Sequence, residues 1–377
     1  MGEQPVGIVG AGIAGLTLAV ALQRRGLSYH VFEQAPRFGE VGAGIQLAPN
    51  ATRLLYRLGL GDALDAVAVR PHAIELRDGR TGTVMARTEL GERCVAEYGA
   101  PYLAVHRADL HQILAGAVDP AAVTLGVRCT GIDQDGEVVT AAFDNGRRDR
   151  FAVLAGADGV RSAVRSTFLH DAPRYSGHTI FRGLIPAERL PQLAAEPRIV
   201  LWLGPGQHAV AYPVAGGKLI SFGATMPEAE WGAESWSEPG SLSGLREAYE
   251  GWDDGLRDLL SQADEVSRWA LHDRDPIIGW THGTATLIGD AAHPMLPFVA
   301  QGANQAVEDA YVLAGCLAQA PVPEALRRYE RLRRPRTDEV QEISRRNATA
   351  LHDGSRPDPA QQQRQQRWLF GYDPEEG

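Results

Sequence analysis

The spacing of apolar and polar residues changes several times along the chain. A short apolar run, "VGIVG", begins at Val6, and a glycine turn leads into a stretch from about Ala14 to Arg25 whose apolar residues recur every three or four positions. The segment "LSYHVFE" then alternates and ends at Glu33. Short apolar runs predict strands, and the 3.6-residue period predicts a helix between them. The beginning of the chain therefore predicts a strand, helix and strand unit.

Similar transitions recur much later in the chain. "YLAVH" followed by "RADLHQILAGAV" predicts a strand and a helix, and "FAVLAGADGVRSAVRSTF" at 151–168 predicts a strand, a turn and a helix. "TATLIGD" predicts a further buried strand, after which two prolines lead into an apolar helix with an acidic pair at Glu308 and Asp309. Strands that alternate with helices favour a parallel α/β sheet.

A different texture lies between Tyr175 and Thr225, where short alternating runs are bounded by glycine and proline. This pattern predicts an antiparallel sheet, and helical spacing returns at 242–265. We therefore predict a discontinuous nucleotide-binding α/β domain with a mostly antiparallel domain inserted. The predicted boundaries are 1–72, 101–170 and 278–346 for the first domain, 73–100 and 171–277 for the second, and 347–377 for a C-terminal tail.

The end of the chain carries many charges. Residues 324–346 show helical spacing with interleaved acids and arginines, which predicts a solvated helix face with a kink at Pro335 and disfavours a nucleic-acid patch. The aromatic residues of "WLFGYD" near the end predict a tail that docks on the protein.

Composition narrows the possible functions. The 377 residues carry a formal charge of −10, which argues against binding to nucleic acid or to anionic lipid, and no run reaches the length of a membrane span. Cys94, Cys129 and Cys316 show no C-x-x-C spacing, so neither disulfides nor a metal site is predicted and a reducing cytoplasm is expected. Monomer and homodimer both remain open.

The glycine turn has the spacing of a dinucleotide-binding loop. Gly10 permits a tight turn, Gly12 permits close approach of a pyrophosphate, and Gly15 permits packing of the helix on the strand. The helix N-terminus that follows favours phosphate, and Glu33 ends the second strand where an acid can hold ribose hydroxyls. NAD and FAD bind such a unit alike, so the loop alone leaves the cofactor open.

Asp290 supplies further information. It follows a strand end and can accept hydrogen bonds from a hydroxylated chain, and the next helix N-terminus can stabilise a ring that becomes anionic. A flavin has both features.

Three stretches together resemble the fingerprints of the FAD-dependent aromatic hydroxylases of the para-hydroxybenzoate hydroxylase superfamily: "GAGIAG", "GADGVRSAVR" and "GDAAHPMLPFVAQGANQAVEDA". The resemblance implies a Rossmann-like FAD-binding domain with an inserted, mostly antiparallel β-sheet substrate domain and C-terminal helices. It also implies bound FAD, with NADH or NADPH as a transient reductant.

Carried over by motif, the resemblance implies a set of cofactor-binding residues. They are Gly10, Gly12, Ala14, Gly15, Glu33, Gln34, Arg37, Gly44, Arg107, Asp158, Arg165, Asp290, Pro297, Gly302, Ala303 and Asn304. One position departs from the family pattern, because Ala300 stands where the third fingerprint often has glycine.

His208 and Tyr212 are the candidate catalytic residues. They lie four apart on a predicted strand and therefore on one face. Their tract resembles the salicylate hydroxylase, 3-hydroxybenzoate 6-hydroxylase and 6-hydroxynicotinate 3-monooxygenase branch, where such a pair binds or helps to deprotonate a phenol. A purely structural pair is the alternative. His293 is a candidate base, but a role in fixing the turn is favoured; Arg182 is expected to meet a carboxylate, the flavin or a structural acid.

The resemblance implies a monooxygenase that uses NAD(P)H and dioxygen to hydroxylate a small phenolic or N-heteroaromatic substrate through a flavin C4a-hydroperoxide. The sequence does not decide whether decarboxylation accompanies this step. A larger indole, polyketide or antibiotic-type substrate is one alternative, and an FAD-binding regulator without catalysis is another.

Overall fold

The computed structural model describes residues 4–39, 42–228, 237–352 and 358–376. The strands are β1 (Val6–Val9), β2 (Tyr29–Glu33), β3 (Gly44–Leu47), β4 (Ala73–Asp78), β5 (Val84–Glu89), β6 (Leu103–His106), β7 (Val123–Leu125), β8 (Cys129–Asp135), β9 (Val138–Phe143), β10 (Arg148–Phe151), β11 (Val153–Gly156), β12 (Arg174–Pro186), β13 (Ile199–Gly204), β14 (Gln207–Val214), β15 (Leu219–Pro227), β16 (Ser237–Pro239), β17 (Ser267–Asp273), β18 (Thr281–His282) and β19 (Ala285–Leu287). The α-helices are α1 (Ile13–Arg24), α2 (Pro49–Arg57), α3 (Gly61–Val67), α4 (Gly91–Tyr98), α5 (Arg107–Gly116), α6 (Ala163–Ser166), α7 (Pro191–Ala195), α8 (Leu242–Ala248), α9 (Asp254–Ser261), α10 (Gly302–Gln319), α11 (Val322–His352) and α12 (Pro359–Phe370).

A largely parallel sheet brings the predicted strand ends together. Within the described residues its order is β18-β19-β11-β1-β2-β7, and the neighbours from β19 to β7 run parallel. Val9 pairs with Gly156 on one side and with Phe32 on the other, so these strands end level with one another. Open α/β sheets bind ligands at the carboxyl ends of their strands. The glycine loop and Asp290 therefore lie at the same edge.

The two faces of this sheet are covered differently. Helices α1 and α10 pack against each other on one side, whereas the antiparallel sheet β8–β10 lies against β1 and β11 on the other. Phe151 packs so closely that a Cβ on Gly7 would lie 2.7 Å from its ring. Packing against Phe151 therefore requires a glycine at this position of β1.

The second large sheet confirms the predicted, mostly antiparallel arrangement. Its order is β16-β17-β12-β15-β14-β13-β4-β5, with one parallel pair between β13 and β4. Along β14 the residues alternate between two faces: Ala209 and Ala211 pack in the cluster that contains α8 and α9, whereas Tyr212 packs in the cluster that contains Leu369 and Phe370 of α12. The face of His208 and Tyr212 therefore points away from α8 and α9.

Helix α11 has the predicted solvated face, with Arg327, Arg328 and Arg331 exposed, but its other face is buried and also carries arginines. It runs from Val322 to His352 without interruption at Pro335, and it buries Arg333 and Arg336 against α10. The prediction of a docking tail is confirmed, because Leu369 and Phe370 are buried against the rest of the protein. None of the described helices is both long and apolar enough to cross a membrane.

Candidate active site

The three glycines of the first loop have different reasons to lack a side chain. Gly10 has a φ of +102°, and a Cβ there would lie 2.4 Å from the Ala157 carbonyl oxygen. A Cβ on Gly15 would lie 1.9 Å from the Gly10 carbonyl oxygen, whereas one on Gly12 would meet nothing within 4 Å. Gly10 and Gly15 are therefore required by the fold, and the space beside Gly12 is left for a ligand at the N-terminus of α1.

This difference separates the effects of two substitutions. Gly15→Ala should lower the free energy of unfolding by about 1–3 kcal/mol, because α1 must move away from the loop. Gly12→Ala should leave stability almost unchanged, since its φ of −74° suits alanine, but should weaken FAD binding. Urea unfolding of the apoprotein and FAD titration of each variant measure the two effects. Equal losses of stability would contradict this assignment.

Glu33 is fixed at the end of β2. One carboxylate oxygen accepts from the Ala11 N–H and the other from the Ala35 N–H, both at 2.8 Å. The acid therefore borders the glycine loop, as the ribose-binding prediction requires. Gln34 and Arg37 follow on the exposed surface, at the same end of the sheet.

Asp290 lies at the opposite side of the loop. A Cβ on Gly289 would be 2.9 Å from the Ala14 methyl, so the chain before Asp290 touches the start of α1. The Asp290 side chain is solvent-accessible, but it lies deep in a cleft; desolvation there raises its pKa, while His293 and Arg107 lower it. Its carboxylate forms no hydrogen bond or ion pair with the residues that the structure describes.

Two other predicted cofactor residues are engaged by the protein itself. Asp158 accepts from the Ser162 hydroxyl at 2.5 Å and from the Ala163 N–H at 2.7 Å, at the start of α6. Arg165 is almost wholly buried, donates to the carbonyls of Ala291 and Ala292 at 2.9 Å, and pairs with Asp171 at 2.7 Å. Arg165 therefore positions the loop that carries Asp290.

The third fingerprint is held in place by Asn304. Its Oδ1 accepts from the Ala48 N–H at 2.7 Å, and its Nδ2 donates to the carbonyls of Gln46 at 3.0 Å and Ala300 at 2.7 Å. Gly302 and Ala303 begin α10, so their N–H groups belong to its N-terminal turn. Asn304 thus joins this turn to the segment before α2.

Ala300 explains the family preference for glycine at its position. Its φ of +50° is left-handed, a conformation that costs an L-residue about 1–2 kcal/mol. Pro297 lies in the same turn, because its carbonyl accepts from the Ala300 N–H at 3.0 Å. The turn keeps its shape although glycine is absent.

Tyr212 meets the predicted cofactor segment at Gly44. A Cβ on Gly44 would lie 2.5 Å from the Tyr212 ring, and the Gly44 N–H donates to Ser221 Oγ at 2.9 Å. Burial raises the pKa of Tyr212, although the Arg182 guanidinium and the hydroxyl and amide side chains beside it act in the opposite direction. Tyr212 therefore keeps its proton at neutral pH and can donate a hydrogen bond.

Arg107 and Arg182 make the inner part of this region positive. Desolvation lowers the pKa of both guanidiniums. Asp290 raises the pKa of Arg107 and Tyr212 raises that of Arg182, but desolvation is the larger effect in each case. Arg107 begins α5, and its N–H donates to the Ala43 carbonyl at 2.9 Å. Among the described residues, no acid forms an ion pair with Arg182.

His208 lies on the wall of a cavity of about 370 Å³, which we call the sheet cavity. Its Nδ1 is 3.1 Å from Thr225 Oγ1, which fixes the ring, and the ring contacts Phe298 edge-on at 5.4 Å. Other walls are formed by Gln46, by 297–300 and by α12. The cavity therefore joins the predicted flavin segments to the face of β14.

His293 fixes a turn, as expected. Its Nε2 is 2.5 Å from Asp309 Oδ2, which also accepts from the Gly289 N–H at 2.9 Å. Sequence reasoning missed the role of Asp309. Nothing in the sequence around it indicates that its buried carboxylate holds the backbone of Gly289, next to Asp290.

The arrangement fits FAD. The acid at Glu33, the open space at Gly12 and the carboxylate of Asp290 follow one strand edge in the order of ribose, pyrophosphate and a hydroxylated chain. The positive region around Arg107 suits a ring that gains negative charge on reduction. No side chain of the described residues closes the space beside Gly12.

Comparison with known proteins agrees with this geometry. The family described as "FAD binding domain" matches residues 3–344, and the chain belongs to that family. It is 45% identical to a 3-amino-4-hydroxybenzoate 2-monooxygenase of Streptomyces platensis over 98% of this chain and 96% of that protein. It is 35% identical to a 6-hydroxynicotinate 3-monooxygenase of Bordetella bronchiseptica over 99% and 96%.

A solved salicylate hydroxylase substrate complex has the same fold, with a TM-score of 0.83 and 26% identity over 98% of this chain and 96% of that one. Family and relatives together define an FAD-dependent aromatic monooxygenase. The resemblance stated from the three fingerprints is thereby confirmed.

Proposed function

We propose that the enzyme uses NADH or NADPH and dioxygen to hydroxylate a small phenol that carries a carboxylate. The observation that carries the proposal is the sheet cavity, which His208 lines together with the turn at 297–300. Its volume of about 370 Å³ lies near the lower end for small-molecule sites, which favours a small aromatic substrate over a polyketide. The compounds named for the relatives, an aminohydroxybenzoate, a hydroxynicotinate and salicylate, are all aromatic acids.

The apolar part of the cavity suits an aromatic ring. Leu201, Leu203 and Val210 of the eight-stranded sheet supply one wall, and Phe298 and Val299 supply another. Water is a poor competitor for such surfaces, so a ring is retained there by the hydrophobic effect. The few polar groups then set its orientation.

The electrostatics favour an ionised phenol. A cation stabilises the charged form of a neighbouring acid, and Arg182 acts in this way on the Tyr212 phenol. A substrate hydroxyl beside Tyr212 would experience the same field, with Tyr212 donating a hydrogen bond to the phenolate. His208, oriented by Thr225, is placed to accept the proton that the phenol loses.

Bound FAD supplies electron transfer and oxygen activation. The protein supplies the rest: Asp290, Glu33 and the α1 N-terminus hold the cofactor, and the sheet cavity holds the aromatic ring. The remaining predicted residues Gln34, Arg37, Gly44, Pro297 and Ala303 are proposed to line the same cofactor. Asp158, Arg165 and Asn304 are proposed to act through the turns that they fix.

The assay for the proposal is NADH and NADPH oxidation by the purified protein with a panel of aromatic compounds. We expect oxidation to be stimulated, with a hydroxylated product, by 3-amino-4-hydroxybenzoate, 6-hydroxynicotinate or salicylate. Indole serves as the comparison without a carboxylate. Binding of FAD together with stimulation by indole alone would overturn the proposed substrate class and keep the family.

Cell location, assembly and domain division are part of the proposal. The three cysteines are free and buried, which supports a reducing cytoplasm. The separate apolar clusters of the two large sheets support the division into a cofactor domain and an inserted substrate domain. Sedimentation would decide between monomer and homodimer.

A further inference from the structure

The wall of the sheet cavity that α12 forms is polar. Gln362, Gln365 and Gln366 of α12 line the cavity and are partly buried; we call them the glutamine wall. Their spacing of three and four places them on one face of the helix, the face that continues to the buried Leu369. Among the described residues, no partner forms a hydrogen bond with their carboxamides.

The carboxamides of the glutamine wall stay in contact with solvent and make no hydrogen bond with the described residues, so their N–H and C=O groups are available to a ligand. A helix that only had to cover an apolar sheet would present leucine or alanine at these positions, as α12 does at its C-terminal end. The glutamine wall therefore has the character of a binding surface for a polar group of a ligand.

The helix is held so that this face cannot turn away. Asp373, just beyond α12, accepts from both terminal nitrogens of Arg57, at 2.7 and 2.6 Å. Arg336 donates to the Leu369 carbonyl at 3.0 Å and lies 3.9 Å from the centre of the Tyr372 ring. A cation at a helix C-terminus also stabilises the helix through its dipole.

We propose that the glutamine wall binds the carboxylate of the aromatic acid whose hydroxyl group is held at His208 and Tyr212. This inference rests on the proposed function and adds the residues that select its substrate. The wall lines the same cavity as His208 and the turn at 297–300, so one aromatic ring in the cavity can meet His208 and the glutamines with different substituents. Each carboxamide offers two N–H donors, and carboxylates are strong acceptors.

Charged neighbours do not take over this role. Arg346 also lines the cavity but already pairs with Glu339 at 3.0 Å, on an exposed part of α11. Asp358 uses its carboxylate to cap α12, accepting from the Ala360 N–H at 3.0 Å. Neutral donors are therefore the groups that the cavity presents to an anion at this wall.

Charge substitution tests the assignment without changing shape. Gln365→Glu and Gln366→Glu keep side-chain volume and helix propensity but place a negative charge opposite the carboxylate. Gln363→Glu is the matched control, because Gln363 lies on the same helix and is exposed to solvent. Far-UV circular dichroism and flavin content verify that each variant is folded and loaded.

The ligands are 3-amino-4-hydroxybenzoate, 4-hydroxybenzoate and 2-aminophenol, and the readout is Kd by calorimetric titration of the FAD-loaded protein. Both acids should bind at least tenfold more weakly to Gln365→Glu or Gln366→Glu than to the wild type. 2-Aminophenol, which lacks the carboxylate, should bind within twofold, and Gln363→Glu should behave as wild type.

Equal Kd values for the acids in wild type and both variants would overturn the inference alone. A loss that follows the amino group, and spares 4-hydroxybenzoate, would overturn it as well. Failure of the wild type to bind any acid, with FAD in place, would overturn the proposed substrate class together with this inference.

Discussion

Asp290→Ala is expected to fold and to lose most of its affinity for FAD. The carboxylate lies in the cleft with no hydrogen bond to the described residues, so its removal leaves no buried partner unpaired. A hydrogen bond to a charged group contributes about 1.5–3 kcal/mol, so Kd for FAD should rise roughly 10- to 150-fold. Fluorescence titration of the apoprotein measures this change.

Two variants make the result specific. Asp290→Asn keeps an acceptor and should lie between the wild type and Asp290→Ala. Asp135→Ala removes an exposed acid at the end of β8 and should bind FAD as the wild type does. Wild-type flavin content in Asp290→Ala would contradict the role given to this residue.

The sequence predicted the cofactor side of the molecule well because its signals are local. The loop at Gly10, Gly12 and Gly15 stands between an apolar run and a helical period, and both elements form where expected. Asp290 could be placed beside this loop because the carboxyl ends of parallel strands meet at one edge. The order of strands in the sheet was not needed for that step.

Other features depended on contacts between distant segments. The sheet β8–β10 covers one face of the parallel sheet, yet its short strands carry many charges and gave no clear period. The glutamines of α12 read as a polar tail, because nothing in "AQQQRQQ" shows that one side faces a cavity. The roles of these segments depend on where they pack in the folded protein, which their own sequence does not indicate.

Sequence reasoning predicted the solvated face of helix α11 but not the two arginines that this helix buries. Alternating acids and arginines usually mark a solvated face, but Arg333 is 0% exposed and Arg336 is 7% exposed. Their partners, Glu308 and Asp309, are in α10, which reads as an apolar helix. Arg333 and Arg336 of α11 can be buried because Glu308 and Asp309 of α10 carry the opposite charge and pair with them.

These four residues support the second large prediction. Glu308 is fully buried; it accepts from Arg333 at 2.5 Å, from Arg336 at 2.7 Å and from Asn50 Nδ2 at 2.6 Å. Glu308→Ala would leave Arg336 without the carboxylate it pairs with and Arg333 with Asp309 alone. Loss of one member of a buried ion pair costs about 3–5 kcal/mol, and the free energy of unfolding should fall by that amount in urea titrations.

Glu339→Ala is the control on the same pair of helices. Glu339 is 51% exposed and pairs with Arg346 at the surface, so its loss should change the free energy of unfolding by no more than about 0.5 kcal/mol. A similar small effect for Glu308→Ala would mean that the network stabilises the fold little.

The pH dependence of stability gives an independent check. Burial raises the pKa of Glu308, but Arg333 and Arg336 outweigh it, and the pKa in the folded protein is lower than usual. The stabilisation is therefore present above the ordinary carboxyl pKa, near 4, and is lost as pH falls through the folded value. The difference between wild type and Glu308→Ala should be largest at neutral pH and should shrink in acid, because protonation removes from the wild type the charge that the substitution has already removed.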